Sequence, residues 1–528
     1  MSKTPTQVLF LWHMHQPYYK RANDSLYYLP WTRLHGIKDY FGFVYFLSKF
    51  EKIKATFNFS PTGLEQIVDY STRKASDRFL ELTKKNPKDL TSNEKTFILK
   101  RFFSVNKERF INPYPRYLEL FEKARKQKIK YFTDQEIRDI QLYFNLVWFH
   151  FTTIEEDKNL QELIKKSHGF SESDKKYVID KQYDVLSMII PLYKDLVASK
   201  RIEICISPYY HPILPLLCDT NIVHVHNQTA PRIRFHHPEE AFWHLKEGKD
   251  RTQQILNTKI TGSWPSEGSV SPQVLKLYEE LEFKWIATDE EILFNTLRLT
   301  RKNLTKNIPR DIIYQPYYFD DLIVFFRDKN LSNAISFTYH YWQDLNAAAQ
   351  DLINHFHNIH KHTRSIYKKR MVLIAMDGEN AWEYYHNNAK DFFTSLYSSL
   401  EKHSHLKTQT ISSFIRNSDF KTIEEPIWPG SWINANFGVW SGSRENNRNW
   451  EILARIKNAL DKKRNMLAPR KLEQAISYLR IIEGSDWNWW NTFDDISGDF
   501  GKLFLSYVKA LSRILNQDFI HYKHTINI

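Results

Sequence analysis

The chain has 528 residues, of which 42% are hydrophobic and 15% are aromatic, and it carries a formal net charge of +13 at pH 7. This composition excludes an intrinsically disordered chain, and the length allows one large barrel with an annex or up to about three or four ordinary domains. The positive charge would suit a nucleic acid or an anionic membrane surface, but Lys and Arg are spread along amphipathic helical stretches, so we expect neither partner.

Seven short apolar runs, separated by segments of helical period, organise most of the chain. Each resembles a buried strand and ends at a polar residue; they are residues 8–12, 55–59, 202–206, the run before Glu267, and residues 283–288, 322–326 and 371–376. Buried strands that alternate with helices predict parallel βαβ units, whose functional groups collect at the carboxyl ends of the strands. We therefore predict a closed or nearly closed β/α barrel, with residues 408–411 as a weaker further strand.

The segments between the strands predict two helical additions. Residues 63–201 are charged, helical in period and too long for a plain crossover, which indicates a helical insertion packed over the barrel. After residue 425 a Trp-rich loop leads into apolar-periodic stretches. We predict a catalytic barrel domain over residues 1–425 and a C-terminal helical domain over residues 426–528 that contributes to the active-site cleft.

The first predicted strand ends at two histidines, His13 and His15, in the segment HMHQP. Two neutral imidazoles at this spacing can face one metal ion, which would then need a further ligand such as His211, His236 or His237. Alternatively, they donate hydrogen bonds to substrate hydroxyls or to a catalytic carboxylate, or one of them is a buried structural residue. We predict substrate contact, without a metal or another cofactor.

Two later strand ends carry weaker candidates. His211 lies in ICISPYYHPILPLL, a segment equally consistent with a structural loop and with a substrate wall. Asp289 follows the strand at 283–288, where it could contact the substrate, cap the following helix, or do both.

Two carboxylates at strand ends suggest sugar chemistry in this aromatic-rich chain. Glu267 lies in ITGSWPSEGSVSP and Asp377 in MVLIAMDGENAWEYY. In a glycosidase the reacting bond lies between two carboxyl groups, one protonated to assist the leaving oxygen and one ionised to attack the anomeric carbon or to activate water. The alternative is that both acids merely cap helices. We predict that Glu267 and Asp377 are the catalytic pair.

Further candidates surround this pair. Glu379 could contact the substrate or orient the neighbouring carboxyl group, and Trp264 and Trp382 could form walls that stack against sugar rings. In the C-terminal segment EGSDWNWW, adjacent Trp side chains cannot all face one ligand. From this segment we choose Asp486 and Trp487 as the residues that reach back over the barrel mouth to the substrate.

Five segments, in this order, resemble the motif regions of glycoside hydrolase family 57. They extend over almost the whole chain, so a chance resemblance is improbable. The segments are HMHQP at 13–17, SPYYHPILPLL at 207–217, WPSEGS at 264–269, MDGENAWEYY at 376–385 and EGSDWNWW at 483–490.

The resemblance implies a retaining enzyme that acts on α-glucans, built on an incomplete seven-stranded (β/α) barrel followed by an α-helical bundle. It places Glu267 at the family's nucleophile and Asp377 at its general acid/base. The motif sequences are most similar to those of the α-amylase and amylopullulanase branch, although Asn488 stands where an aromatic residue is expected. We therefore expect hydrolysis of α-1,4 links, with a glucanotransferase or branching enzyme, a non-catalytic glycan-binding protein and a metal-dependent deacetylase-like hydrolase as alternatives.

The sequence also bears on location. Its two cysteines, Cys205 and Cys218, lie in an apolar stretch and give no disulfide framework, which fits a reducing compartment. The N-terminal apolar run is interrupted by histidines and lacks the cleavage site of a signal peptide, and no run of about 18 apolar residues occurs. We expect a cytoplasmic protein with no membrane anchor, of unknown oligomeric state.

Overall fold

A mixed sheet forms the centre of the molecule in a computed structural model, which describes residues 4–300, 308–416, 419–493 and 495–520. The sheet has nine strands: β1 (Thr6–Met14), β2 (Ala55–Phe59), β3 (Ile202–Ile206), β4 (Gly262–Ser263), β5 (Trp285–Asp289), β6 (Tyr317–Phe319), β7 (Leu322–Arg327), β8 (Met371–Asp377) and β9 (Leu406–Thr408). The order is β6-β7-β5-β4-β3-β2-β1-β8, and β9 pairs with β1. All seven predicted strands are present, with small shifts at their ends.

Seven parallel strands, β1–β5, β7 and β8, curve into an incomplete barrel. Within the described residues the outermost two, β7 and β8, form no paired ladder, and the backbone N–H of Asp328 just beyond β7 donates to the carbonyl oxygen of Leu373 in β8 (2.8 Å). The short β6 is antiparallel to β7, and the sequence analysis did not predict it. The predicted incomplete seven-stranded (β/α) barrel is confirmed.

Alternate residues along the strands face opposite sides of the barrel wall, as the two-residue period of a strand requires. Phe10 and Trp12 of β1 join the large cluster beneath the helices, whereas Leu9 and Leu11 join a smaller interior cluster with Trp285. The Trp285 ring lies so close to Gly262 of β4 that any Cβ there would overlap it. Glycine at this position therefore lets a large aromatic ring fill the barrel.

Helices cover the strands on the outside. Those in the first barrel unit and between β2 and β3 are Trp31–His35, a π-helix over Gly36–Phe43, Val44–Ser48, Pro61–Ser71, Arg78–Lys84, Ser92–Arg101, Pro115–Lys126, Asp134–Leu146, Phe151–Glu156, Lys158–Lys166 and Glu172–Ala198. Capping boxes at Thr91, Thr133 and Ser171 fix the starts of three of them. A helical segment between β2 and β3 is therefore present, as the periodicity predicts.

Later helices complete the outer layer. They are Leu214–Cys218, Pro238–Leu256, Pro272–Glu280, Glu290–Thr300, Lys329–Phe337, Leu345–Thr363, Lys390–Lys402 and Ile411–Ile415, followed by the C-terminal group Arg444–Lys463, Pro469–Ile482, Asp486–Thr492 and Asp499–Ile514. The C-terminal group docks on the loop after β1, where the hydroxyl of Tyr507 donates to the carbonyl oxygen of Lys20 (2.6 Å). The boundary between two domains at residue 426 stays a prediction.

No helix in the described part of the chain is both long enough and apolar enough to cross a bilayer.

Candidate active site

Glu267 is held in a tight turn directly after the shortest strand of the barrel. The backbone at Glu267 and Gly268 is left-handed, with φ of 56° and 59°, so the chain reverses sharply after Pro265. The indole N–H of Trp432 donates to Oε2 of Glu267 (2.8 Å), and the backbone N–H of Trp432 donates to the carbonyl oxygen of Glu267 (2.9 Å). The two contacts fix both the turn and its carboxylate.

Asp377 is the last residue of β8, and the sheet register sets it beside His13 of β1. The next backbone N–H, that of Gly378, donates to the carbonyl oxygen of His13 (2.7 Å). The carboxyl ends of parallel strands meet at one end of the barrel, and Asp377 and Glu267 accordingly line the same pocket. The structure therefore brings together the two carboxyl groups that the sequence singled out.

The protonation of these two acids follows mainly from burial and, for Glu267, also from the negative charge of Asp377. Burial, and after it the negative charge of Asp377, raises the pKa of Glu267 to about 8, although the Trp432 hydrogen bond and the positive charge of His15 act in the opposite direction. Burial raises the pKa of Asp377 to about 6, against the charges of His15 and Arg327. The sequence analysis assigned an ionised carboxylate to Glu267 and a protonated carboxyl group to Asp377, whereas the pKa of Glu267 is the higher of the two.

The three candidate histidines form one stack beside Glu267. The ring centroids of His15 and His211 are 3.8 Å apart, and those of His13 and His211 are 5.1 Å apart. Nδ1 of His211 lies 4.0 Å from Oε1 of Glu267. His13 and His15 reach the pocket surface, whereas His211 is completely buried behind them. His211 therefore supports the site without lining it.

The outer nitrogens of the stack bind separate partners and do not converge on one point. Nδ1 of His13 lies 2.5 Å from Oδ1 of Asn58, Nε2 of His15 lies 3.0 Å from Oδ1 of Asp486, and Nδ1 of His211 lies 3.0 Å from the Ser485 hydroxyl. Throughout the described ranges, no group of three or more His, Cys, Asp or Glu side chains is arranged to hold a metal ion. The imidazoles serve as hydrogen-bonding groups in this arrangement.

His15 differs from its two neighbours in charge. Burial by itself would lower its pKa, but Asp486, Glu379 and Glu267 together raise it above the ordinary value. Burial and the charge of His15 lower the pKa of His13 to about 3, and the same causes keep the pKa of His211 well below its usual range. One imidazolium, that of His15, is thus favoured among the carboxyl groups of the pocket.

Glu379 lines the pocket, and its Oε1 accepts the backbone N–H of His15 (3.0 Å). Its side chain is almost fully buried, and burial raises its pKa to about 7, although His35 lowers it. The hydrogen bond to the backbone of residue 15 means that Glu379 holds the β1 loop against the loop after β8.

Asp289 has a different position from the one proposed by the sequence. Its side chain is completely buried; Oδ1 accepts the backbone N–H of Glu291, and Oδ2 accepts the Nε–H of Arg327 (2.7 Å). Arg327 in turn lies over the Trp432 ring, 4.7 Å from its centroid. The expectation that Asp289 contacts the substrate is therefore wrong, because Arg327 and the barrel wall cover this carboxylate. The expected role of Asp289 as a helix cap is observed.

Three tryptophans expected at the substrate surface are core residues. Trp264 is 0% exposed and packs edge-on against Trp432, with centroids 5.2 Å apart. Trp382 is buried among aromatic rings that include Trp12, and its Nε1 donates to the carbonyl oxygen of Gly378 (2.8 Å). Trp487 is also buried, with its Nε1 bonded to a carbonyl in the preceding helix. The expectation that these rings stack against sugars is corrected.

Other aromatic side chains line the pocket instead. The pocket has a volume of about 520 Å³, and its aromatic lining consists of Tyr19, Trp31, Trp148, Trp432, Trp489, Trp490 and Phe500. Asp486 lines it too, as predicted, together with Trp489 and Trp490 from the same helix. Helical spacing could have identified this set, because residues at positions i, i+3 and i+4 share one face and Trp487 does not. Asn488, on another face, donates to the carbonyl oxygen of Trp440 (3.0 Å).

Comparison with solved structures supports the fold. A family 57 branching enzyme from the archaeon Pyrococcus horikoshii matches with a TM-score of 0.64 and 16% identity, over 96% of this chain and 89% of that one. An α-amylase from Thermotoga maritima matches with a TM-score of 0.56 and 12% identity, over 98% of this chain and 100% of the amylase chain. A 4-α-glucanotransferase from Thermococcus litoralis matches with a TM-score of 0.54 and 13% identity, over 97% of this chain and 60% of the glucanotransferase chain.

The sequence itself matches the family model described as Glycosyl hydrolase family 57 over residues 9–426. No curated protein matches the chain. The family match covers most of the chain and includes both pocket carboxylates, Glu267 and Asp377. The chain therefore belongs to glycosyl hydrolase family 57 and is a glycoside hydrolase-type enzyme.

Proposed function

We propose that this enzyme is a retaining α-glucan hydrolase of the α-amylase type, with Glu267 as nucleophile and Asp377 as general acid/base. The observation that carries the proposal is the pair itself: two largely buried carboxyl groups line one pocket, and the pKa of each is raised. Two carboxyls that share a proton near neutral pH are what a double displacement at an acetal carbon needs.

The reaction has two balanced steps. First, the Glu267 carboxylate attacks the anomeric carbon, the bond to the leaving oxygen breaks, and that oxygen takes the proton of Asp377. In the second step the Asp377 carboxylate removes a proton from water, the water oxygen bonds to the anomeric carbon, and Glu267 departs as a carboxylate. Each step inverts the carbon, so the product keeps the α-configuration.

One proton must therefore be on Asp377 when Glu267 attacks. The shared proton favours Glu267, because the pKa of Glu267 is the higher of the two. The productive arrangement, with Glu267 ionised and Asp377 protonated, is favoured by the Trp432 N–H, which donates to Glu267, whereas the positive charge of His15 favours ionisation of both acids. We propose that Trp432 holds the negative charge on Glu267 when a bound sugar displaces water from the pocket.

The sugar-binding surface in this proposal comes largely from the C-terminal helices. Trp489 and Trp490 offer aromatic surface to the pocket, and His15 and Asp486 offer a hydrogen-bonding pair at its edge. Flat rings pack against the apolar faces of sugars, while the polar groups bind hydroxyls. The α-1,4 specificity, an α-1,6 activity and a cytoplasmic location stay predictions from the sequence.

A transferase is the second candidate, because the same aromatic wall could retain an acceptor sugar. A sugar hydroxyl would then replace water in the second step and leave the first unchanged. Incubation with maltoheptaose separates the two functions. Hydrolysis yields only shorter sugars with new reducing ends; longer products at a constant number of reducing ends would contradict the first choice and support transfer.

The nucleophile assignment has its own test. Glu267→Gln keeps the size of the side chain and its contact with Trp432 but cannot attack, so turnover of maltoheptaose is expected to fall by about 10³-fold or more while binding persists. Oligosaccharide binding by calorimetry separates this outcome from unfolding. Unchanged turnover would disprove the assignment of Glu267.

A further inference from the structure

A group of exposed aromatic side chains lies outside the pocket. Tyr341 is 79% exposed, Tyr384 is 52% exposed and Trp342 is 40% exposed. They come from two separate segments. Tyr341 and Trp342 lie at the end of the turn Tyr339–Tyr341 and directly after it, and Tyr384 lies in the loop that follows β8. Large aromatic rings cost free energy when they face water, and contiguous exposed apolar surface usually marks a binding site.

His340 joins the two segments into one surface. Its ring centroid lies 4.0 Å from that of Tyr341 and 5.5 Å from that of Tyr384. Trp342 stands edge-on to the buried Tyr339, with centroids 5.5 Å apart. We call His340, Tyr341, Trp342 and Tyr384 the aromatic surface. Its rings are anchored by the core and by one another, so little conformational entropy is lost when a ligand packs on them.

The aromatic surface continues the rim of the catalytic pocket. Glu383, which directly precedes Tyr384, lines that pocket. The guanidinium of Arg109 donates through Nε–H to the carbonyl oxygen of Tyr384 (2.8 Å). The next residue, Phe110, stacks on Trp148, which also lines the pocket; their centroids are 5.7 Å apart. The loop after β8 and the helical insertion thus connect the two sites.

The pocket is too small to hold a whole polysaccharide chain. A volume of about 520 Å³ falls within the roughly 300–1,000 Å³ of pockets that hold small ligands, so only a short stretch of a polysaccharide fits inside. The remainder of a polymeric substrate must leave the pocket across the neighbouring protein surface. Where the loop after β8 leaves the pocket at Glu383, the next residue, Tyr384, belongs to the aromatic surface.

We propose that the aromatic surface is a second carbohydrate-binding site, which holds the part of an α-glucan chain that extends beyond the catalytic pocket; this inference rests on the proposed function. Tyr341, Trp342 and Tyr384 offer ring faces for stacking against glucose units. His340 and the guanidinium of Arg109 offer donors to sugar hydroxyls. Burial, and after it the charge of Arg109, lowers the pKa of His340. The site carries no carboxylate of its own among these residues, so it binds without cleaving.

The test compares the double variant Tyr341→Ala/Tyr384→Ala with the wild type and with a matched control. Tyr131→Ala removes a tyrosine ring that is 54% exposed but belongs to the helical insertion and does not line the pocket. Retention in native gels that contain amylopectin measures polymer binding, and kcat/KM for maltotetraose measures the catalytic pocket alone. Tyr341→Ala by itself leaves the loop after β8 intact and checks that the loop was not disturbed.

The double variant is expected to bind amylopectin about tenfold more weakly, which is the order of two lost aromatic stacking contacts. Its kcat/KM for maltotetraose should stay within about twofold of the wild-type value, since the pocket is unchanged. Tyr341→Ala should show part of the loss, and Tyr131→Ala none.

Two results would overturn the inference while the proposed function stands. In the first, the double variant turns over maltotetraose like the wild type and its retention by amylopectin is also unchanged. In the second, Tyr131→Ala loses as much amylopectin binding as the double variant does. A third concerns another occupant. If sedimentation shows that the wild type is a dimer and the double variant a monomer, and amylopectin retention is the same for both, the aromatic surface is a contact between protein copies. By contrast, a wild type that turns over neither maltotetraose nor maltoheptaose would refute the proposed function itself.

Discussion

The indole N–H of Trp432 lies 2.8 Å from Oε2 of Glu267, although 165 positions separate the two residues. The donor is neutral, so it stabilises the negative charge of Glu267 without adding a charge of its own. It acts against burial and against the charge of Asp377, both of which favour the protonated form. Whether Glu267 is protonated therefore depends on a balance of opposing effects that single substitutions can shift.

Trp432→Phe should move this balance in a defined direction. Loss of a hydrogen bond to a charged group raises the pKa of Glu267 by about one unit, since such bonds contribute about 1.5–3 kcal/mol. The alkaline limb of kcat/KM against pH then moves to higher pH, and the plateau falls by about tenfold because ionised Glu267 is rarer. The pH profile on maltoheptaose measures both effects.

The matched control for this variant is Trp264→Phe. Trp264 packs against Trp432, but its Nε1 has no hydrogen-bond partner among the described residues. Its replacement also removes an indole N–H and part of a ring, yet it should leave both limbs of the profile where they are. Equal shifts in the two variants would mean that packing, not the hydrogen bond, controls Glu267.

The wild-type enzyme should show a bell-shaped dependence of kcat/KM on pH, with limbs near pH 6 and pH 8. Below the lower limb both carboxyls are protonated and no nucleophile exists, whereas above the upper limb both are ionised and no acid exists. The two values belong to the interacting pair. Circular dichroism at each pH would confirm that the enzyme stays folded, and a flat profile from about pH 5 to 9 would contradict proton sharing.

The pair Asp289–Arg327 is predicted to stabilise the barrel as a unit. Both side chains are almost completely buried, so Arg327→Gln leaves an unpaired buried carboxylate and should lower the free energy of unfolding by about 3–5 kcal/mol. In the double variant Asp289→Asn/Arg327→Gln the two neutral amides can pair, and the loss should be smaller than in the single variant. Urea unfolding of the set measures the coupling; strictly additive losses would disprove it.

The contact between His15 and Asp486 should stabilise the protein in a pH-dependent way. The folded-state pKa of His15 is raised from 6.5, so its contribution is complete below about pH 6.5 and is lost as the pH rises through the folded value. Asp486→Asn should therefore destabilise the protein more at low pH than at high pH. Unfolding midpoints in urea at several pH values test this expectation.

Asp499→Asn is the control for that experiment. Asp499 starts the last C-terminal helix and is paired with Arg101 (2.6 Å), whose guanidinium stays charged at every pH of the experiment. Its destabilising effect should be nearly constant between about pH 6 and 9. A parallel pH dependence in both variants would show that a group other than His15 is responsible.

The fold was predictable because short apolar runs of five or six residues recur between segments of helical period, a pattern typical of buried parallel strands. The strands β6 and β9 have three residues each, too few for a period to be recognised, and β6 was accordingly missed. The two-residue β4 was found only through the polar segment after it. Strand length, more than strand chemistry, limited what could be inferred.

The candidate site divides in a similar way. Glu267 and Asp377 were predictable since the ends of parallel strands meet, and this follows from topology alone. The hydrogen bond from Trp432 to Glu267 was not predictable, because the two residues are 165 positions apart and no local pattern links them. The ion pair between Asp289 and Arg327 could have been found by aligning β5 with β7, since the two residues are direct neighbours on these adjacent parallel strands. Burial of Trp382 depends on rings from several elements and has no local signal.

The hydrogen bond between His15 and Asp486 spans 471 positions of the chain. On the ribosome, the first strand and its histidines emerge long before the helix that carries Asp486, Trp489 and Trp490. A nascent chain can thus complete its barrel while one wall of the pocket is still unmade. If the pocket works as proposed, chains released before the helix Asp486–Thr492 is made are expected to be inactive even where their barrel has folded.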